Sequence, residues 1–261
     1  MMDIACIDGV LVPLAEARIS VTDDGLLRGD GVFEVLRLYD GVPLAVEQHL
    51  QRMAQSAASL RLDLDIAAIA RDIESLLAAA EPGDALVRVV ATRGGRRIVL
   101  IEPLPALAES IALSYVTFAP VRVLDGVKSL SYAANMQATR LARERGFDEA
   151  LLVTPHGRVL ELPTASLFWI ADGQARTPPL SDHILDSITR AIVMEAADAS
   201  EVSATPADLE RADEAFAVSS VWELMPVSRI EERELAVGGS VTAAIAGKVR
   251  ARIEAQLSRG G

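Results

Sequence analysis

Two lysines, Lys128 and Lys248, stand among 25 basic residues, so arginine carries almost all of the positive charge. Arginine stays protonated in a protein, whereas a lysine amine can lose its proton to its surroundings and then act as nucleophile or base. A lysine kept in this composition is a candidate for covalent or proton-transfer chemistry. Lys128 lies in Asp125-Gly126-Val127-Lys128-Ser129-Leu130-Ser131-Tyr132, where a turn signal passes into a mixed polar and apolar stretch ahead of a helical pattern. The competing reading is an ordinary surface lysine. Lys248, in Ala246-Gly247-Lys248-Val249-Arg250, sits among charges at helical spacing and reads as a solvated helix face.

Three features downstream of Lys128 add to it. Glu161 falls in the apolar context Leu160-Glu161-Leu162-Pro163, where an unpaired carboxylate is costly to bury and needs a cationic partner. Ser187-Ile188-Thr189-Arg190 puts hydroxyls where a helix begins. The backbone N–H groups of a helix start form an anion site, although a plain N-cap is the simpler reading. Ser219-Ser220 ends a strand and would add hydroxyls suited to a phosphate, though serines are common there. An amine nucleophile, a buried acid and two hydroxyl-rich anion sites together are what pyridoxal phosphate needs from a protein.

Composition narrows the partners. A chain of 261 residues with 51% hydrophobic residues has material for one large domain or two modest ones. A net charge of -12 argues against nucleic acid and for a small metabolite. Cys6 is the one cysteine, and His49, His156 and His183 have no metal-ligand spacing, so neither an intramolecular disulfide nor a metal is expected. The N-terminus has no basic segment followed by an apolar run, and no stretch of about 18 apolar residues occurs, which reads as cytoplasmic and not membrane-bound.

The elements that must position these residues follow from periodicity. Strand-like runs at Ile4 to Ile7, Val10 to Val12, Val32 to Tyr39 and Val42 to Val46 flank the turn signals Asp8-Gly9 and Asp40-Gly41. Val46, Leu50, Met53, Ala57 and Leu60, then Ile66, Ile69, Ile73, Leu76 and Leu77, recur at helical steps. Strands are expected at Ala85 to Thr92, Arg97 to Ile101 and Ile111 to Thr117. Beyond a connection at 119–126, helices are expected from Ala133 to Arg145, from Ser187 to Ala197 and from Val241 to Leu257. Strands are expected at Ala150 to Val153, Arg158 to Leu160, Leu167 to Ile170 and Ala215 to Ser219. The expected architecture is mixed α/β with a first domain over 1–118, a linker over 119–126 and a second domain over 127–261.

Arg28-Gly29-Asp30-Gly31-Val32-Phe33-Glu34-Val35, Glu47-Gln48-His49-Leu50-Gln51-Arg52, Val127-Lys128-Ser129-Leu130, Gly157-Arg158-Val159-Leu160-Glu161, Ile184-Leu185-Asp186-Ser187-Ile188-Thr189-Arg190 and Glu223-Leu224-Met225-Pro226-Val227 follow one another along the chain. In that order they resemble the class IV aminotransferases, the fold-type IV pyridoxal-phosphate enzymes. These include branched-chain and D-amino-acid transaminases and 4-amino-4-deoxychorismate lyase. The resemblance implies an N-terminal α/β sandwich, a C-terminal pseudo-barrel with helices, and a homodimer.

By position, Lys128 resembles the family's Schiff-base lysine and Glu161 the acid that pairs with the pyridine nitrogen. Arg52, which by itself reads as an exposed charge on an amphipathic helix, resembles the arginine that grips the cofactor phosphate. Ile188, Thr189 and Ser220 resemble further phosphate donors, and Leu185 the side chain packed behind the ring. Tyr132 would reach the cofactor's phenolic oxygen or pack in the core. Phe33 stands where D-amino-acid transaminases of the best-known bacterial type have tyrosine. The hairpin Arg93-Gly94-Gly95-Arg96-Arg97 lacks their histidine, leaving Arg96 or Arg97 to bind a substrate carboxylate or simply to be solvated. Ser166 replaces a common asparagine, and Leu162 a glycine. The activity implied is transamination between D-amino acids or (R)-primary amines and 2-oxo acids. The alternatives are 4-amino-4-deoxychorismate lyase, whose members often have threonine where Val35 stands, and branched-chain L-amino-acid transamination.

Overall fold

The computed structural model describes residues 3–260; Met1, Met2 and Gly261, which the expected domains include, lie outside the described residues. Two compact units emerge. One comprises residues 1–105, 127–132 and 256–261, the other residues 106–126 and 133–255.

The first unit contains β1 (Ile4–Ile7), β2 (Val10–Pro13), α1 (Asp24–Arg28), β3 (Gly31–Tyr39), β4 (Val42–Pro43), α2 (Val46–Ser59), α3 (Ile66–Ala79), β5 (Ala85–Thr92) and β6 (Arg97–Pro103). Its sheet is antiparallel throughout, in the order β2-β1-β6-β5-β3-β4. Asp40 and Gly41, at φ of 48° and 83°, supply the left-handed pair that a two-residue hairpin between β3 and β4 requires. One sheet face carries Val32, Leu36 and Leu38 of β3, Val87, Val89 and Ala91 of β5, and Val99 and Ile101 of β6. It packs on Leu50, Met53 and Ala57 of α2 and on Ile69, Ile73 and Leu76 of α3. Each Val, Leu, Ile or Met among them, fully buried, stabilises by roughly 1.5–3 kcal/mol. Alternation along the strands puts Phe33, Val35, Arg88 and Val90 on the opposite face.

The β5–β6 hairpin tip is tied to the start of α1. Asp23 accepts the Gly25 N–H at 2.7 Å and the Thr92 hydroxyl at 2.9 Å. A Cβ on Gly94 would stand 2.1 Å from the same carboxylate, so only glycine fits there.

The second unit contains β7 (Ile111–Thr117), α4 (Ala133–Glu144), β8 (Glu149–Val153), β9 (Ser166–Ala171), β10 (Gln174–Thr177), α5 (Ile188–Ala197), β11 (Ser200–Glu201), α6 (Pro206–Leu209), β12 (Glu214–Ser219), β13 (Glu223–Ile230), β14 (Arg233–Glu234) and most of α7 (Ser240–Gly260). These strands form a mixed half-barrel sheet in the order β11-β10-β9-β12-β13-β7-β8, with β14 beside β13. Trp169, Leu167, Ala215, Ala217, Met225 and Val227 fill its core. The buried Glu214 carboxylate accepts the Val241 and Thr242 N–H groups and so caps the start of α7.

The sheets draw a different boundary from the one expected at residue 118. β7 pairs in parallel with β8 and β13, so it belongs to the second unit, and hydrogen bonding to distant strands decides this, not local pattern. Residues 119–126 also group with the second unit, while 127–132 group with the first. β13, which contains Pro226, was not among the expected strands. Pairing with β7 begins only at Val227, so the N–H that proline lacks falls ahead of that ladder. The run at Arg158 to Leu160 forms one bridge, Val153 to Val159, in place of a strand.

Glu149 is a buried acid in β8. Burial pushes its carboxyl up, against the Thr139 hydroxyl and the Ala150 N–H that favour the charged form. Because the folded protein holds this proton more tightly than the unfolded chain, no cost arises below the ordinary carboxylate range. The cost grows as pH rises toward the elevated value and is then constant. Glu149→Gln is therefore expected to melt close to the parent protein at pH 4 and above it at pH 8, as thermal unfolding followed by circular dichroism would show.

Candidate active site

Lys128 joins the first unit through its backbone. Its carbonyl accepts the Phe33 N–H and its N–H donates to Ser56 Oγ, each at 3.1 Å. The next residues extend this contact, with Val32 bridged to Ser129 and the Leu130 N–H donated to the Gly31 carbonyl at 2.9 Å. Gly29 and Gly31 allow the close approach. A Cβ on Gly31 would meet the Leu130 side chain at 2.7 Å, and one on Gly29 would meet Ser131 at 3.0 Å. The half-buried amine of Lys128 stands 4.5 Å above the centre of the Phe33 ring, a cation–π contact. The Tyr132 ring meets Phe33 edge-on at 5.3 Å, so packing against that wall is what the structure shows of Tyr132. Lys128 is thus half-buried and not fully solvated.

Arg52 is not the exposed charge its helix position suggested. It is 9% exposed, and its Nε and Nη2 grip both oxygens of Glu34 at 2.8 and 2.6 Å. His49 donates from Nδ1 to the same carboxylate at 2.8 Å. Burial alone would push the Glu34 carboxyl up, but the Arg52 and His49 hydrogen bonds outweigh it and hold the value at about 2. Burial, in turn, pushes His49 down, toward a neutral ring. The sequence reading gave no role to Glu34, His49 or Ser56. The available signal was an acid at an inward-facing position of an apolar strand, opposite three polar residues on the apolar stripe of α2.

In the second unit, Glu161 Oε1 accepts the Leu185 N–H at 2.9 Å, and the Glu161 carbonyl accepts the Leu152 N–H at 3.0 Å. A backbone donor therefore orients this carboxylate. Ser187 is the N-cap of α5 and accepts the Arg190 N–H at 3.3 Å, as the plain cap reading expected. Ile188 and the buried Thr189 occupy the first turn, whose N–H groups point away from the helix body. The Ser219 hydroxyl accepts the Trp222 N–H at 3.2 Å, and Ser220 follows at the strand end.

The hairpin arginines are engaged elsewhere. Arg96 pairs with Asp8 at 2.5 Å and Arg97 with Asp72 at 2.8 Å, while Arg93 pairs with Asp30 and donates to the Leu60 and Arg61 carbonyls. The expectation that Arg96 or Arg97 binds a substrate carboxylate therefore concerns guanidinium groups already in contact with an internal acid, Arg96 through Nη1 and Arg97 through Nε.

The model of amino-transferase class IV matches residues 31–230. The chain belongs to the class IV aminotransferases. It is 33% identical over 252 residues, 87% of this chain and 88% of the relative, to a putative branched-chain-amino-acid aminotransferase of Methanocaldococcus jannaschii. A D-alanine aminotransferase of Bacillus licheniformis is 26% identical, with coverage of 88% and 89%, and an aminodeoxychorismate lyase of Bacillus subtilis is 30% identical, with coverage of 87% and 86%. The branched-chain aminotransferase from Thermoproteus uzoniensis with norvaline superposes at a TM-score of 0.90, with 28% identity and coverage of 97% and 95%. The PLP-bound form of a hypothetical aminotransferase from Mycobacterium tuberculosis gives 0.90, with 26% identity and coverage of 97% and 99%.

This class IV aminotransferase uses pyridoxal 5'-phosphate. Its donor sets fit that cofactor: an amine on an aromatic face, a carboxylate fixed by a backbone N–H, a helix start with Ser187 and Thr189, and an oriented guanidinium. No helix among the described residues is long and apolar enough to cross a membrane.

Arg96→Ala and Arg97→Ala are expected to change the KM for a 2-oxo acid by no more than about twofold, because both arginines serve internal carboxylates. Arg97→Ala should cost about 1–3 kcal/mol in urea unfolding, since it strands the buried Asp72. A KM raised tenfold with unchanged stability would show instead that the arginine binds substrate.

Proposed function

We propose that this enzyme transfers an amino group between D-amino acids, or (R)-primary amines, and 2-oxo acids. The observation that carries the transfer chemistry is the Lys128 amine set on the Phe33 ring, with its backbone clamped by β3 and α2. Clamping leaves only the side-chain torsions of Lys128 to move, so Nζ returns to one place after each displacement.

Pyridoxal 5'-phosphate, when bound, supplies an aldehyde that condenses with amines and a ring that takes up electron density from the substrate's Cα–H bond. Lys128 Nζ would hold the cofactor between turnovers and, when free, would take the substrate's Cα proton and keep it for return, with the Phe33 ring face steadying the resulting ammonium. Glu161 would pair with the pyridine nitrogen and keep it protonated. Arg52, the first-turn N–H groups of Ile188 and Thr189, the Thr189 hydroxyl and Ser220 would hold the phosphate, and Leu185 would pack behind the ring. Val35 shares the Phe33 face and brings methyl groups where a lyase-like threonine would bring a hydroxyl, which supports transfer over lyase chemistry. The proposal extends to a cytoplasmic homodimer, for which the exposed Val21, Leu26 and Leu27 offer apolar area.

A second reading, transamination of branched-chain L-amino acids, is favoured by the engagement of Arg96 and Arg97 with Asp8 and Asp72. One set of assays separates the readings. Protein given pyridoxal 5'-phosphate is expected to absorb in the visible and to aminate 2-oxoglutarate from D-alanine. Lys128→Ala should lose the absorbance and at least about a thousandfold in rate. Faster transfer from L-leucine would install the branched-chain reading, and release of 4-aminobenzoate from 4-amino-4-deoxychorismate without amino transfer would install the lyase.

A further inference from the structure

The carboxylate of Glu34 is fully buried on β3, where the strand pairs with β5 at Val89. It accepts three hydrogen bonds: His49 Nδ1 and Arg52 Nη2 on Oε2, and Arg52 Nε on Oε1. The two bonds to Arg52 use one edge of the guanidinium. A planar group held along one edge has its plane fixed, and with it the direction of the opposite edge, which carries Nη1. Without Glu34, a flexible side chain on α2 would have to be ordered by the ligand at the ligand's expense.

The same strand and helix carry the lysine. Phe33, next to Glu34, donates its N–H to Lys128 and lies under the amine, and Ser56, four residues after Arg52, accepts the Lys128 N–H. We propose that Glu34 is a positioning residue that aims Arg52 at the phosphate of the cofactor and keeps that anchor in register with Lys128. The proposal rests on the assignment of Arg52 to the phosphate.

Glutamine at this position offers one acceptor oxygen to three donors. Its NH2 must face either Arg52 Nε or the pair formed by Arg52 Nη2 and His49 Nδ1, so the guanidinium has to turn away. The probes that separate aiming from general support are pyridoxal 5'-phosphate and pyridoxal, which differ only in the phosphate. Apoenzyme would be titrated with each, following the visible absorbance of the lysine adduct, and the bound phosphate would be observed by 31P NMR.

Glu34→Gln is expected to weaken the phosphorylated form by about tenfold or more, to leave pyridoxal within about twofold, and to move the 31P resonance toward that of free cofactor. Arg52→Ala should show the same pattern. Equal weakening of both forms, or no weakening of either, would overturn the proposal, because a merely structural Glu34 does not distinguish them. Glu34→Asp provides the same comparison if the amide variant does not fold, since it keeps the charge but withdraws it by one methylene. Should Arg52→Ala lose the preference for phosphate while folded Glu34 variants keep it, Arg52 is the anchor and the aiming role fails. Wild-type protein that takes up neither form would bring down the proposal together with the cofactor reading of Lys128.

Discussion

A carboxylate sealed from water between a sheet and a helix is the constraint on which the first unit depends. Glu34 would be costly to leave unpaired in that core, and its partners on α2 are the reason it is tolerated. His49 and Arg52, three positions apart, share one face of the helix, and Ser56 continues the line one turn later. A stripe that should be wholly apolar is thus partly polar. Once formed, its hydrogen bonds permit one register of α2 on β3, because a slip by one residue would strand the acid. The price in stability yields a unique placement for the segment that bears Lys128.

Much of this unit was legible in the sequence. Alternation along β3, β5 and β6 and the helical steps of α2 and α3 depend on near neighbours, and the turn at Asp40-Gly41 announces itself through left-handed backbone chemistry. What sequence pattern could not show was which distant groups meet. The Lys128 segment returns to the first sheet through the Phe33 and Leu130 hydrogen bonds, across about a hundred residues, and nothing local signals it. The same holds for β7, whose apolar run is compatible with either sheet until its partners are known. β13 was not among the expected strands, although its ladder with β12 runs unbroken from Glu223 to Val227 through Pro226.

The chemistry-bearing residues divide similarly. The types of Lys128, Glu161 and Thr189 suggested roles for them, and the structure adds what orients these residues: a backbone clamp, the Leu185 N–H and the α5 helix start. Arg96 and Arg97 looked like candidates because a guanidinium fork suits a carboxylate, with plain solvation at a hairpin tip as the competing reading. Their partners, Asp8 and Asp72, lie 88 and 25 residues away, and only the fold brings them close. Residue type shows what a side chain is able to do, and its partners decide whether it is available to do it.

That distinction bears on substrate choice. An arginine already paired with a carboxylate offers little to a second one, since breaking the first pair costs about what the new one returns. A substrate carboxylate is then held better by backbone N–H groups, hydroxyls or an arginine elsewhere than by this hairpin. The Phe33 face around the amine offers an aromatic ring, the Val35 and Val90 side chains and, beside them, Arg88, whose guanidinium lies 5.8 Å from the ring centre and is shared with Glu102. The face beside this amine is therefore a largely apolar wall. A single methylene in such a wall changes affinity by only about 1–3 kcal/mol. Handedness, unlike side-chain size, depends on where a carboxylate is anchored relative to Lys128, and Arg96 and Arg97 come to such a task from contacts with Asp8 and Asp72.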